Sequence, residues 1–237
     1  MQELDEGERI QTLQNYVQLV LLRDISDRHE VRSVHAVRSF ALSLLQSSGS
    51  QTSVNKLANG LRSRGIAVGK DTLYDLLDYF TDAFLLFAVP VFNRSLRVRE
   101  ANPRKVYAVD PRLAFAVAPA GVSNLGARLE TAAYLELPRR LRGARGGVIS
   151  YYSTRTGHEV DFIVGDPEAG QATRLVQVCA DLTRAATRKR EAQALEEAVN
   201  EVGLGEATIV AMHDAEDVGV TGGVIHVVPA WAWMLGV

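Results

Sequence analysis

The run Thr156-Gly157-His158-Glu159-Val160-Asp161-Phe162-Ile163-Val164, followed after a loop by Leu175-Val176-Gln177-Val178-Cys179, decides how this chain is read. Both runs are short and rich in β-branched or aromatic residues, the signature of strands. Side chains alternate faces along a strand, so Glu159 and Asp161 are expected on one face and Val160 and Phe162 on the other. The same spacing puts Gln177 and Cys179 on one face of the neighbouring run. Carboxylates on one strand beside a polar–apolar–polar step on the next suit the binding of a divalent cation for phosphodiester hydrolysis. The second run, however, carries an amide and a thiol where that chemistry asks for charge.

Outward from these runs, Leu125, Leu129, Ala132, Ala133 and Leu137 predict a helix that ends at Pro138. Strands are expected at 147–153, 158–164 and 174–179. Ala192, Leu195, Ala198 and Val199 predict a crossover helix. Ala207 to Met212 and Val224 to Val228 read as further strands, and Trp231-Ala232-Trp233-Met234 as a short closing helix. His213, Asp214, Glu216 and Asp217 read as an acidic loop. Adjacent strands followed by helix-separated ones predict an α/β domain over 119–237.

The first half has a different rhythm. Ile10, Leu13, Tyr16, Val17, Val20 and Leu21 recur at helical spacing, as do Val31, Val34, Val37, Ala41, Leu44 and Leu45. The polar stretch Gln46 to Gln51 ends the second helix. A third is expected over 53–63 with Thr52 or Ser53 as its N-cap, and a fourth begins where Asp71 or Thr72 could cap it. Phe84 to Val89 and Lys105 to Val109 read as strands flanking a loop from Asn93 to Asn102. Helices followed by a hairpin with a basic loop describe a winged helix-turn-helix over 8–118, in an overall α+β chain.

In such a module the second helix of the motif enters the major groove and the wing meets phosphates. Lys70, Thr72 and Tyr74 would start the recognition helix. Arg94, Arg97 and Arg99 would line the wing, with Arg104 and Lys105 at its return. Only Glu100 offsets these five cations between Arg94 and Lys105. Asp71, Asp75, Asp78 and Asp82 work the other way, because they give the recognition helix an acidic face.

Composition bounds these readings. The chain has 237 residues, 47% of them hydrophobic, enough for a substantial core. Residues 1–118 carry 15 Lys/Arg against 13 Asp/Glu, and 119–237 carry 11 against 15, so neither half is strongly basic. The single cysteine, Cys179, excludes an intramolecular disulfide and a Cys-rich zinc site. No apolar run approaches the roughly 18 residues of a membrane span, and four of the first eight residues are acidic, unlike a signal peptide. A cytoplasmic protein without membrane partners is expected. Gly65-x3-Gly69-Lys70-Asp71-Thr72 is one residue short of a phosphate-cradling loop and has Asp where Ser or Thr would hold Mg²⁺, so no ATP site is expected.

Several segments, in order, resemble the C-terminal region of the archaeal and bacterial AAA-type P-loop ATPases, the domain labelled DUF4143. They are Tyr16 to Ile25, 53–80, Val106-Tyr107-Ala108-Val109-Asp110, Gly126-Ala127-Arg128-Leu129-Glu130 and Tyr151 to Phe162. The last, an aromatic followed by R-x-G-x-E-V-D-F, is the most specific. The resemblance implies a winged helix followed by a fold like the PD-(D/E)xK restriction endonucleases, without the family's ATPase domain. It further implies that Glu130, Asp161 and the Gln177-x-Cys179 step occupy the positions of the Mg²⁺-binding acids and the E-x-K pair, with Gln177 for the Glu and Cys179 for the Lys.

Those two replacements point to a degenerate site, made up of Asp161, Glu130, Glu159, Gln177 and Cys179, in a non-catalytic module that binds nucleic acid or regulates. An enzymatic alternative is a Mg²⁺-dependent endonuclease with Asp161 and Glu130 as ligands and a displaced cation from Arg184, Arg188 or Lys189. A third class is a protein-interaction adaptor docking near Trp231 and Trp233. Glu159 and Asp161 could instead form a pair satisfied by Arg155 or Arg128. His158 is expected at the surface, and Cys179 as a small buried hydrophobe.

Overall fold

A computed structural model describes residues 5–29, 31, 33–118, 124–141 and 147–236. The chain is a mixed α/β protein that divides into two compact units, Met1–Ala88 with Pro103–Asn124, and Val89–Asn102 with Leu125–Val237. The division read from the sequence abuts residues 119–123, which lie outside the described set.

The first unit opens with α1 (Glu6–Leu19), started by a capping box in which Asp5 accepts from the Glu8 N–H at 2.8 Å and the Glu8 carboxylate accepts from the Asp5 N–H at 2.9 Å. The helix continues as a π-helical segment, Val20–Asp27, in which the buried Ser26 hydroxyl donates to the Leu21 carbonyl. Ser33 caps α2 (Val34–Gln46) and Ser53 caps α3 (Val54–Ser63), each through a hydroxyl that accepts a backbone N–H. Between them lies β1 (Ser50–Thr52), a short strand within the stretch read as a polar break. The start of α4 (Lys70–Asp82) is Gly69 and makes no side-chain capping bond, so neither Asp71 nor Thr72 is the cap.

After β2 (Leu86–Val89) the chain enters the second unit for Val89–Asn102, where the expected loop contains a helix, α5 (Leu96–Ala101). The reason is local: the Ser95 hydroxyl accepts the Val98 N–H and starts a helical turn. The chain returns as β3 (Arg104–Ala108) and α6 (Pro111–Val117), the latter with Asp110 as cap and proline at its first position. The three strands form a sheet in the order β1-β3-β2. Helical stripes from α2, α3 and α4 close a core around Phe40, Leu44, Leu45, Leu61, Leu73, Leu76 and Phe80, all 1% exposed or less.

The second unit is built on a six-stranded sheet, β4-β5-β6-β7-β9-β8. After α7 (Leu125–Arg140), which runs past Pro138, come β4 (Val148–Ser153), β5 (Glu159–Asp166) and β6 (Gln171–Cys179), paired antiparallel. The crossover helix α8 (Ala185–Val202) leads to β7 (Glu206–Ala211), parallel to β6. Two further strands, β8 (Glu216–Val220) and β9 (Gly223–Pro229), pair antiparallel, and β9 runs parallel to β7 before α9 (Ala230–Leu235). The residues read as an acidic loop thus include an edge strand, where charged side chains are tolerated and discourage further pairing. Apolar residues of α8 pack on Leu175, Cys179, Ile209 and Ile225 in one core. Among the described residues no helix is long and apolar enough to cross a membrane.

Candidate functional site

The strands β5 and β6 pair by backbone through Phe162–Val176 and Ile163–Leu175, and then side chains replace the ladder. The Asp161 N–H donates to Gln177 Oε1 at 3.0 Å, and the Val178 N–H donates to Asp161 Oδ2 at 2.9 Å. Both residues are buried. A buried backbone donor needs a partner, and here each strand's donor is met by a side chain of the other.

A bulge prepares this arrangement. Ser150 pairs with Ile163 and Tyr152 with Val160, so Asp161 and Phe162 together stand opposite Tyr151. An extra residue bends a strand and interrupts its alternation. Val160 and Ile163, three residues apart, accordingly join the same core cluster. The expected alternation therefore breaks beyond Asp161: Phe162 packs against Tyr134 instead of sharing the core face of Val160, and Glu159 lies before the bulge, half-buried and in register with Ser153.

The network extends to α8. Gln177 Nε2 donates to Glu191 Oε2 at 2.8 Å, and Glu191 is itself buried. The other Glu191 oxygen accepts from Arg190 Nε at 3.1 Å and Nη2 at 2.5 Å, which raises the Arg190 pKa. Cys179 is also buried, its Sγ donates to the Asp181 carbonyl at 3.3 Å, and burial pushes the thiol pKa up. Glu130 is half-buried on α7. The carbonyl of Gln177 is turned onto a backbone N–H, and both Glu191 oxygens already accept from Gln177 and Arg190. Magnesium asks for several oxygen ligands in near-octahedral array, and this donor set does not fit it as arranged. Among the described residues no three His, Cys, Asp or Glu side chains gather as a metal site would need.

A second network explains the first part of the motif. Glu197, also on α8, accepts from Thr156, from Thr154 at 3.1 Å and pairs with His158 Nδ1 at 2.8 Å. The Thr156 and His158 bonds hold its carboxyl well below the usual range, at about 2. One helical turn on, Glu201 accepts from the Tyr152 hydroxyl at 2.7 Å and the Arg155 N–H at 3.0 Å. His158, expected at the surface, is two-thirds covered and serves this tether. Glu191, Glu197 and Glu201 escaped the sequence reading. Glu191 had a legible signal, since it stands on the same helical stripe as Ala194, Leu195 and Ala198.

The expected nucleic-acid residues divide between the units. Lys70, Thr72 and Tyr74 are exposed at the start of α4, as are Asp71, Asp75 and Asp78. Arg94, Arg97 and Arg99 lie in the second unit. Arg97 is exposed, whereas Arg99 pairs with Glu168 at 3.1 Å. Arg94 covers Gly170, where a Cβ would stand 2.2 Å from its Nε. In the first unit, Arg104 is half-buried and Lys105 is only 1% exposed, so Lys105 does not offer a surface cation.

A family model described as Domain of unknown function (DUF8612) matches residues 1–125. The chain belongs to this family. The matching family is DUF8612 and not DUF4143, so the likeness to the AAA-type ATPase region is not upheld. Its most specific piece, Tyr151 to Phe162, lies outside the DUF8612 match, and Glu197 and Glu201 give much of that piece a structural role. The chain is similar to the protein named Uncharacterized protein MJ1544 of Methanocaldococcus jannaschii, at 28% identity over 98% of the chain and 51% of the relative. It is also 27% identical to an uncharacterized protein of Haemophilus influenzae over 61% of the chain and 34% of that protein. The chain therefore matches about half the length of the first relative and a third of the second. No solved structure matches it.

Proposed function

We propose that this chain is a non-catalytic nucleic-acid-binding module, a winged helix-turn-helix joined to a degenerate restriction-endonuclease-like fold. The observation that carries the non-catalytic reading is the bond chain from Asp161 through Gln177 to Glu191 and Arg190, in which one Asp161 oxygen and the Gln177 carbonyl, both of which hydrolysis would turn to a metal, serve backbone N–H groups instead. The order helix, strand, helix, helix, strand, helix, strand from α2 to β3, with the sheet order β1-β3-β2 and α5 in the position of the wing tip, supports the winged helix. A helix, three antiparallel strands, a crossover helix and a parallel strand, from α7 to β7, support the nuclease-like fold. For nucleic acid, the support is Lys70, Thr72 and Tyr74 exposed at the beginning of α4, the end that such motifs present to base edges.

The test is a titration of labelled duplex and single-stranded DNA at two salt concentrations, with and without Mg²⁺, and the products run on a gel. Salt-sensitive binding to DNA that stays intact is expected. Mg²⁺-dependent cutting would overturn the non-catalytic part, and absence of binding would overturn the nucleic-acid part and favour a protein adaptor.

A further inference from the structure

Beside α4 the first unit holds a cavity of about 370 Å³, bounded by the end of the π-helical segment, the start of α2, the α3–α4 turn and one side of α4. Two of its lining residues are aromatic, and their rings stack on each other: His29 and Tyr79 have centroids 3.6 Å apart and planes within 10°. Val68, Ala36 and Leu76 add apolar surface. Thr72 and Asp75, three residues apart on one face of α4, supply a hydroxyl and a carboxylate to the same cavity. Exposed cations stand next in the chain to two lining residues, Arg28 before His29 and Lys70 after Gly69.

We infer that this cavity receives a single unpaired base bearing an exocyclic amine, as cytosine does. The inference rests on the nucleic-acid reading above and names the kind of strand bound. Unpaired bases are recognised by packing on aromatic side chains and by hydrogen bonds to their edges. A carboxylate repels phosphate but accepts from the N4 amine of cytosine, which makes Asp75 a selective group on a helix whose acidity otherwise opposes DNA. Arg28 and Lys70, each one residue from the lining and exposed, are the cations that would meet the phosphates flanking a seated base. Asp71 and Asp78, also on α4, do not line the cavity. Thymine, with a carbonyl where cytosine has its amine, would place oxygen against the Asp75 carboxylate.

The experiment compares labelled 15-nucleotide dC and dT strands by fluorescence anisotropy for the wild-type chain and for Asp75→Asn and Tyr79→Leu. Wild type is expected to prefer dC over dT by about tenfold, the size of one hydrogen bond to a charged acceptor. Asp75→Asn should bring that ratio close to one, and Tyr79→Leu should weaken both strands by about tenfold through lost packing. Equal affinity for dC and dT, or a ratio that survives Asp75→Asn, overturns the base pocket while leaving the nucleic-acid reading intact. Absence of binding to either strand overturns the base pocket, and it overturns the nucleic-acid reading as well when the duplex titration described above is also negative.

Discussion

Asp161 and Gln177 complete each other's strands: the Asp161 backbone N–H donates to the Gln177 side-chain carbonyl at 3.0 Å, and the Asp161 carboxylate accepts from the Val178 N–H at 2.9 Å. A carboxamide is the neutral group that can do this and also donate to Glu191. Gln177 thereby links a backbone donor on one side to a carboxylate on the other without a cation. The same position in a charged site would need a metal or a proton between two acids.

Gln177→Glu should therefore place a second carboxylate against buried Glu191 and cost about 3–5 kcal/mol. Like charges raise the pKa of one of the two acids in the folded state. A folded pKa above the unfolded value means that stability is kept at low pH and lost as pH rises through it. Thermal unfolding from pH 5 to pH 8 should show the variant's deficit widening towards the alkaline end, and a deficit independent of pH would refute the charge argument.

Glu197 has the opposite sign. Its folded pKa of about 2 lies below the ordinary carboxylate value, so its contribution is present above about pH 4.5 and is lost as pH falls towards 2. Glu197→Ala should lower the melting temperature at pH 6 and flatten the acid limb of the stability curve. If the wild-type and variant limbs run parallel from pH 5 to pH 2.5, the tether of Thr156 and His158 to α8 is not what stabilises the β4–β5 turn.

Much of the second unit was legible because β4, β5, β6, β7 and β9 each contain a short run of β-branched or aromatic residues and α8 shows a clear stripe. The strands at 148–153, 159–166 and 171–179 and the helix over 185–202 lie where the pattern puts them. What escaped was set by partners distant in sequence. β1 has exposed side chains at Ser50 and Gln51 and exists through backbone pairing to β3. β8 carries Glu216 and Asp217 and is defined by β9. The bulge at Asp161–Phe162 has no signature in the β5 sequence, since it is a mismatch of register with β4.

The arginines of the 93–102 segment should not contribute equally to binding. Arg99 is half-buried and engaged by Glu168, and Arg94 is exposed but lies against Gly170, whereas Arg97 is exposed. If this segment meets phosphates, Arg97→Ala should reduce the slope of log affinity against log salt by about 0.9 for duplex DNA, and Arg99→Ala by less. A slope unchanged in Arg97→Ala, Arg99→Ala and Arg94→Ala removes this segment from the interface.

Cys179 should be chemically quiet. Burial raises its thiol pKa and its Sγ is committed to the Asp181 carbonyl, so the reactive thiolate is scarce near neutral pH. Labelling by a disulfide reagent at pH 7.5 should be slow in the folded chain and complete within minutes in denaturant. Rapid labelling of the folded chain would mean that the β6 end opens readily.

Gly165 sits on β5 with the β6 backbone close against its Cα. A Cβ there would stand 2.0 Å from the Gln171 carbonyl oxygen and 2.8 Å from the Ala172 Cα, both backbone atoms. A flexible side chain could swing away, but a strand backbone can yield only by breaking the register that pairs Gly165 with Ala172. Gly165→Ala should cost about 3 kcal/mol or more, at the upper end of overpacking substitutions. Gly203→Ala is the control, because φ is +74° there but nothing lies within 4 Å of the added Cβ, so only the smaller left-handed backbone strain applies. Urea unfolding that finds Gly165→Ala no less stable than Gly203→Ala would show that the β5–β6 hairpin slips to accommodate a methyl group.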